Sequence, residues 1–170
     1  MTAIWQLEGV VLDADGDMVA GSLAAVAQGL LSALPLGANH ATVQSLDLSG
    51  GAGAIGTIDL FDVTGPVFLL IVGWCTEDLV GAATIEVGIV GATAALLAQV
   101  ANATTVDADM AWFADAVPSD MEVVTGYGGA FFGGDQTIIL TIGGAEITDG
   151  ELSFSCFWTP LAATGNVAAS

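Results

Sequence analysis

From Ala41 onward the chain is a succession of short apolar segments separated by glycine-rich turns, a pattern typical of β-strands. The segments recur about every 8–12 residues without helices between them, as in antiparallel sandwiches and jelly rolls. The sequence therefore predicts an all-β fold, an antiparallel β-sandwich or jelly-roll-like domain over residues 51–170. The predicted strands are 41–48, 57–63, 67–75, 82–90, 106–113, 121–127, 137–142 and 151–158.

Some of these segments also predict which side chains are buried. In 151–158 every second residue is apolar, which predicts one buried face made of Leu152, Phe154, Cys156 and Trp158. Segment 67–75 is apolar almost throughout and predicts a central strand. Alternation over 57–63 places Leu60 and Phe61 on opposite faces. Residues 91–100 are interpreted as a helical turn or a loop, because their Ala-Leu run favours helix.

Residues 1–50 differ from the rest. Apolar residues recur every three or four positions from Met18 to Leu34, which predicts a helix at 18–34. Asp17 is its expected N-cap, and Pro35 follows its last residue. We expect 1–50 to be an N-terminal segment that packs on the sandwich or on a neighbouring subunit.

Charge excludes several classes of function. The chain has no Lys or Arg and 19 acidic residues, for a formal charge of −19. It can present no cationic side chain to phosphate, and its negative field repels nucleic acid and anionic membranes. We therefore expect neither nucleic acid nor a membrane as partner. The longest uncharged run, 18–46, contains Pro35 and lacks flanking cations, so it does not predict a membrane span.

The hydrophobic composition of the chain indicates that it associates with other chains. Hydrophobic residues make up 54% of the chain and charged residues only 11%, against about 25% charged residues in an average globular protein. A monomer of this composition would expose sizeable apolar patches. The sequence therefore predicts a homo-oligomer, with a trimer favoured.

Two sets of aspartates are candidate cation sites. Asp13, Asp15 and Asp17 occupy alternate positions of an EF-hand calcium loop, but Met18 stands where that loop needs glycine and Ala24 where it needs glutamate. The alternative is an acidic turn that caps the following helix. Asp107 and Asp109 would share one face of a strand and could bind a cation between subunits; the alternative is solvated charge. Calcium is the one cofactor that these residues suggest.

An aromatic pair is a candidate interface. Phe131 and Phe132 lie in the glycine-rich segment 128–134, and two adjacent rings on such a tip predict an anchoring loop. The alternative is a tip folded onto its own core. Cys75 and Cys156 lie in apolar segments, and two buried thiols are favoured over a disulfide.

No catalytic arrangement emerges. The single histidine, His40, has Ser45 and Asp47 nearby in sequence, but no nucleophile elbow surrounds any serine. Residues 51–56 match the dinucleotide-binding glycine pattern, yet they lead into a strand instead of a helix. We predict a protein that is not an enzyme.

Several segments between residues 57 and 167 resemble a family of small tailed-phage and prophage virion proteins. They are 60–65 (LFDVTG), 75–88 (CTEDLVGAATIEVG), 93–99 (TAALLAQ), 137–143 (TIILTIG) and 154–161 (FSCFWTPL). The resemblance implies a virion structural role and no active-site residues.

These observations predict a capsid decoration, cement or head-spike subunit. It would be made in the host cytoplasm, reside on the capsid surface, and bind the major capsid protein or another virion protein. The alternative is a carbohydrate- or calcium-binding β-sandwich module of a phage tail or cell surface, using Asp13–Asp17 or the Asp107/Asp109 pair.

Overall fold

The structure is a computed structural model that describes residues 6–7, 10–11, 40–113 and 129–170. The chain divides into two compact units, residues 1–39 and 40–170. In the first unit, strands β1 (Gln6–Leu7) and β2 (Val10–Val11) form an antiparallel pair. The helix predicted at 18–34 and the acidic turn at 13–17 lie outside the described residues.

The described part of the second unit is built from strands, as the sequence predicted. Its first strand begins at His40, so residues 40–50, which the sequence division placed in the N-terminal segment, belong to this unit. One 3-10 helix, Ala103–Thr105, is the only helix among the described residues. The strands are β3 (His40–Asp47), β4 (Gly56–Thr64), β5 (Val67–Val80), β6 (Thr84–Ile89), β7 (Ala92–Val100), β8 (Ala111–Phe113), β9 (Ala130–Phe132), β10 (Gln136–Gly143), β11 (Asp149–Pro160) and β12 (Asn166–Ala169).

These strands form two antiparallel sheets. The first sheet has the order β3-β11-β5, with β8 and β9 pairing in succession along the far side of β5. The second sheet has the order β12-β4-β10-β6-β7. Pairing is nested: β3 with β11, β4 with β10, β5 with β8 and β9, and β6 with β7. A single long antiparallel hairpin that folds over on itself gives this order of pairs.

Both sheets contribute to one hydrophobic core. From β11 come Leu152, Phe154, Cys156 and Trp158, so the alternation predicted for this strand is confirmed. Gly73 on β5 lies between two aromatic rings of this core. A Cβ atom at Gly73 would lie 3.2 Å from the Phe154 ring and 3.3 Å from Trp112, so the lack of a side chain there gives the two rings their space.

Three strand predictions were wrong in detail, and the strand predicted at 121–127 lies outside the described residues. Of the strand predicted at 106–113, only Ala111–Phe113 forms a strand, β8. Residues 92–100, interpreted as a helical turn or loop, form strand β7 along β6. In β4 the pairing with β10 shifts by one residue, because Phe61 lies opposite Ile138 and Asp59 opposite Ile139. The surplus residue is Leu60, and this bulge buries Leu60 and Phe61 together instead of on opposite faces.

Candidate interaction surface

The outer face of the first sheet is apolar, although the opposite face of that sheet already lines the core. Four of its large side chains are well exposed: Val43 (55%), Trp74 (46%), Phe131 (76%) and Phe157 (39%). We call this surface the apolar face and define it by Val43, Phe68, Leu70, Val72, Trp74, Phe131 and Phe157.

Strand register brings these residues together from distant parts of the chain. Phe157 of β11 lies opposite Leu70 of β5, and Ser155 lies between Val43 and Val72. At one end of the face the rings of Phe68 and Phe131 are 4.8 Å apart between centroids. The serines between them carry only small hydroxyl groups, and Ser45 Oγ donates a hydrogen bond to Ser153 Oγ at 3.2 Å.

A row of carboxylates borders the apolar face at its other end. Asp47, Glu151 and Glu77 lie side by side on β3, β11 and β5. The pKa of Asp47 is lowered from its ordinary value, because the Ser49 side chain and backbone N–H donate hydrogen bonds to this carboxylate. We call these three residues the acidic row.

The acidic row belongs to a wider negative end of the unit. Most of the described carboxylates lie at this end, where β3 and β5 finish and β11 begins. One of them, Asp78, accepts a hydrogen bond from the Ala108 backbone N–H at 2.7 Å. The members are Asp47, Glu77, Asp78, Asp107, Asp109, Glu146, Asp149 and Glu151.

The outer face of the second sheet has the opposite character. It carries Asp59, Asp62 and Glu86, and the last two accept hydrogen bonds from Thr137 Oγ1 (3.0 Å) and Gln99 Nε2 (2.7 Å). A sheet with one face on the core and one in water normally has a polar outer face. The second sheet follows this rule and the first does not.

The candidate interface residues Phe131 and Phe132 lie on strand β9 and not on a free tip. Phe131 pairs with Phe68 of β5 and points outward, whereas Phe132 is buried with 8% exposure. Phe132 therefore packs against the core, as the alternative interpretation expected, and only Phe131 of the two remains a candidate contact residue.

The candidate polar sites are not brought together. Asp107 and Asp109 lie in the turn before β8, not on a strand, and Asp109 adopts a left-handed φ of 68°. The prediction that they share a strand face was wrong, because pairing with β5 begins only at Ala111. Asp13, Asp15 and Asp17 lie outside the described residues. Within the described ranges no three His, Cys, Asp or Glu side chains are placed to hold a metal ion.

His40 has a structural contact. Its ring stacks on Trp158 with centroids 4.3 Å apart, and Trp158 Nε1 donates to Thr42 Oγ1 at 3.2 Å. His40 and Asp47 lie at opposite ends of β3, roughly 23 Å apart at the usual rise per residue. They cannot form a catalytic pair.

Two open grooves lie on either side of Gln136, and Phe131 lines one of them. One, of about 350 Å³, is lined by Leu96, Phe131 and Gln136 among others. The other, of about 570 Å³, includes Asp62, Asp135 and Gln136. Asp135 already accepts a hydrogen bond from the N–H of Gly65, in the turn between β4 and β5, at 2.8 Å. Asp62 accepts one from Thr137 across the β4–β10 pair. Both carboxylates therefore have structural partners.

Both cysteines are free and buried, as favoured from the sequence. They lie on neighbouring strands, but Cys156 is opposite Ile71 and Cys75 is opposite Leu152. This offset of four residues along the sheet is about 13 Å, beyond the reach of a disulfide. Burial raises the pKa of Cys75 to about 11 and that of Cys156 to about 12.

We expect the free energy of unfolding to be unaffected by these thiols below pH 9 and to fall as the pH rises from 9 towards 12. The unfolded chain ionises its thiols near the ordinary value of 9.0, whereas the folded chain retains both protons. Urea denaturation at pH 8 and pH 10.5 measures the effect. In a Cys156→Ala control the alkaline loss should be smaller; an equal loss would contradict the assignment.

Among the described residues no helix is long and apolar enough to cross a membrane. No family model, no curated protein and no solved structure matches the chain. The assignment of a function therefore depends on the chemistry of these surfaces.

Proposed function

We propose that the chain is a non-enzymatic structural subunit of a virion: a capsid decoration, cement or head-spike protein that acts through protein–protein contacts. The observation that carries the proposal is the apolar face, with four large side chains between 39% and 76% exposed. Centres of protein interfaces are depleted of charge and enriched in aromatic residues, as this face is. The resemblance of segments 60–65 and 75–88 to phage virion proteins supports the same class.

The acidic row indicates what the partner carries. The chain has no Lys or Arg, so cations for Asp47, Glu77 and Glu151 must come from another molecule. A shell protein that presents an apolar patch with Lys or Arg at one border would match both parts of the surface. Because the carboxylates lie at one end only, they would also fix the orientation of binding.

We further propose that residues 40–170 form a β-sandwich of the jelly-roll type. The nested strand pairs and the shared core support this architecture. Jelly rolls occur in viral capsid domains and in lectins. The fold therefore leaves both classes of function open, and the surface has to decide between them.

Trp74→Asp is expected to weaken binding to the assembled shells of the phage or prophage that encodes the chain. We expect a loss of roughly 30-fold, the effect of a hot-spot residue, because the substitution removes a large exposed ring from the apolar face and places a charge there. Co-sedimentation of the purified chain with purified shells measures it. Rising NaCl should weaken wild-type binding, since the acidic row is exposed.

Val80→Asp is the matched control. Val80 is 49% exposed, close to the 46% of Trp74, and lies at the end of β5 outside the apolar face. The substitution adds the same charge and should leave binding unchanged. Absence of wild-type binding, or equal losses in both variants, would contradict the proposal.

The second candidate function is carbohydrate binding. The observation that favours it is the exposed ring of Phe131 in the groove that it shares with Gln136, because sugars stack on aromatic rings and bond to polar side chains. Phe131→Ala should then abolish retention on a glycan array. Retention without shell binding would favour this alternative.

A further inference from the structure

The free edges of the two sheets are not equally protected. Soluble proteins guard exposed strand edges with Lys, bulges or very short strands, and this chain has no Lys. Its β8 and β9 have three residues each, and β12 has four. The pairing of β7 with β6 is bulged at two places. At the larger bulge, Ala92 and Leu97 of β7 are five residues apart, whereas their partners Ile89 and Val87 on β6 are only two apart. All four of these edge strands are therefore short or bulged.

Strand β3 has none of these protections. Its eight residues pair with β11 in unbroken register, from His40 opposite Trp158 to Asp47 opposite Glu151. Asp47 is its only acidic residue, and it lies at the very end. Among the described residues no backbone group outside β11 bonds to the main chain of residues 40–47. The side chains of Thr42 and Gln44 donate to the carbonyl oxygens of Val167 and Ser170. Within the described part of the chain, the main chain of β3 therefore presents a regular row of free N–H and C=O groups on the side away from β11.

We propose that β3 pairs with β3 of a second copy of the chain, antiparallel and about a two-fold axis at Val43. Residues directly opposite each other in an antiparallel pair point to the same side of the sheet. Val43 would therefore face Val43 of the second copy on the apolar side. Ala41 would face Ser45 on that same side, and Thr42 would face Gln44 on the other.

The net charge of −19 does not rule out a second copy in this arrangement, because the acidic residues of the paired strands lie far from the axis. The two Asp47 carboxylates are each four residues from the axis, so they lie about 26 Å apart, well beyond the Debye length of about 8 Å at physiological salt. Backbone groups supply the hydrogen bonds, so the contact needs no cation. Among the acidic residues of β3 and its neighbour β11, none lies nearer the axis than Asp47 and Glu151.

Continuity with the apolar face supports the same occupant. Val43 belongs to that face and is 55% exposed. The two-fold pairing joins two copies of the first sheet edge to edge and places their apolar faces side by side. A two-fold pair replaces the trimer expected from composition, because one strand can pair antiparallel with its own copy only about a two-fold axis. The inference does not depend on the proposed function, since it concerns the isolated protein.

The test measures the mass of the purified full chain at tens of micromolar. Light scattering after size exclusion should give twice the chain mass of 16.9 kDa. Val43→Asp sets two carboxylates directly opposite each other and should give a single chain mass, whereas Val80→Asp should remain double. A circular dichroism spectrum that matches the wild type shows that the variant folds.

Val43→Cys tests the register without adding charge. Opposed residues of an antiparallel pair have Cα atoms about 4.5–5.5 Å apart, within the range of a disulfide. Mild oxidation should therefore link most of the Val43→Cys chains in pairs and leave Val80→Cys unlinked, since the native thiols are buried. A wild-type monomer or trimer, a Val43→Asp dimer, or failure of Val43→Cys to cross-link would overturn the proposal.

Discussion

Replacing Phe154 by alanine is expected to lower the free energy of unfolding by about 3–5 kcal/mol. Phe154 is fully buried between the sheets, and its ring centroid lies 6.3 Å from that of Trp112 at a tilted angle. The cavity left by the ring would be bounded by strand backbone and by Trp112, which cannot collapse into it without moving β8. Urea denaturation followed by tryptophan fluorescence measures the change.

Phe131→Ala is the control for this loss. The same ring is removed, but Phe131 is 76% exposed, and within the described residues its ring contact is with Phe68. We expect a cost of at most about 1 kcal/mol. Equal costs for Phe131 and Phe154 would mean that the core does not lie where the two sheets meet.

Replacing Gly81 by alanine is expected to cost about 2–4 kcal/mol, from a strained backbone and from overpacking. Gly81 has a φ of +135°, and a Cβ atom there would lie against the Glu146 carbonyl oxygen and 3.0 Å from the Ile147 Cα. Both neighbours are main-chain atoms, so they cannot rotate away. The midpoint of urea denaturation should fall accordingly.

Gly133→Ala makes the same chemical change at an open position. Its Cβ would have no neighbour within 4 Å, and its φ lies outside the left-handed region. We expect a change within about 0.5 kcal/mol. A large loss in this control would indicate that space and φ do not determine the cost at Gly81.

The fold class could be predicted because the apolar pattern along the chain follows the pleat of its strands. Alternation in β11 located its buried face correctly, and the apolar run of 67–75 located the middle of the first sheet. Strand β7 could not be predicted, since the helix preference of its Ala-Leu run is outweighed by pairing with β6. The bulge at Leu60 depends on β10, far away in sequence. Strands β9 and β12 are too short to leave a pattern.

The candidate surface was only partly predictable. Phe131 was identified from its glycine-rich surroundings. Val43 and Phe157 join Val72 and Trp74 only through strand register, which the sequence does not specify. The sequence did contain one signal for this surface. Segment 67–75 has apolar residues at both its odd and its even positions, so both faces of this strand are apolar, and the core covers only one of them. The second face of such a strand must be covered by something else.

The surplus residues of β7 bear on how far the proposed strand pairing could extend. The start of β7 passes close to Gly88 of β6, where a Cβ atom would press on the Ala92 carbonyl oxygen. A glycine at this position therefore makes room for the bulged strand. Fibres grow by adding strands to a fresh edge at each step. In the proposed dimer each copy uses the straight edge of β3 in one pairing. Among the described strands, the other sheet edges are short or bulged and offer a third chain no regular template. Pairing of this kind would therefore stop at two copies instead of extending into a fibre.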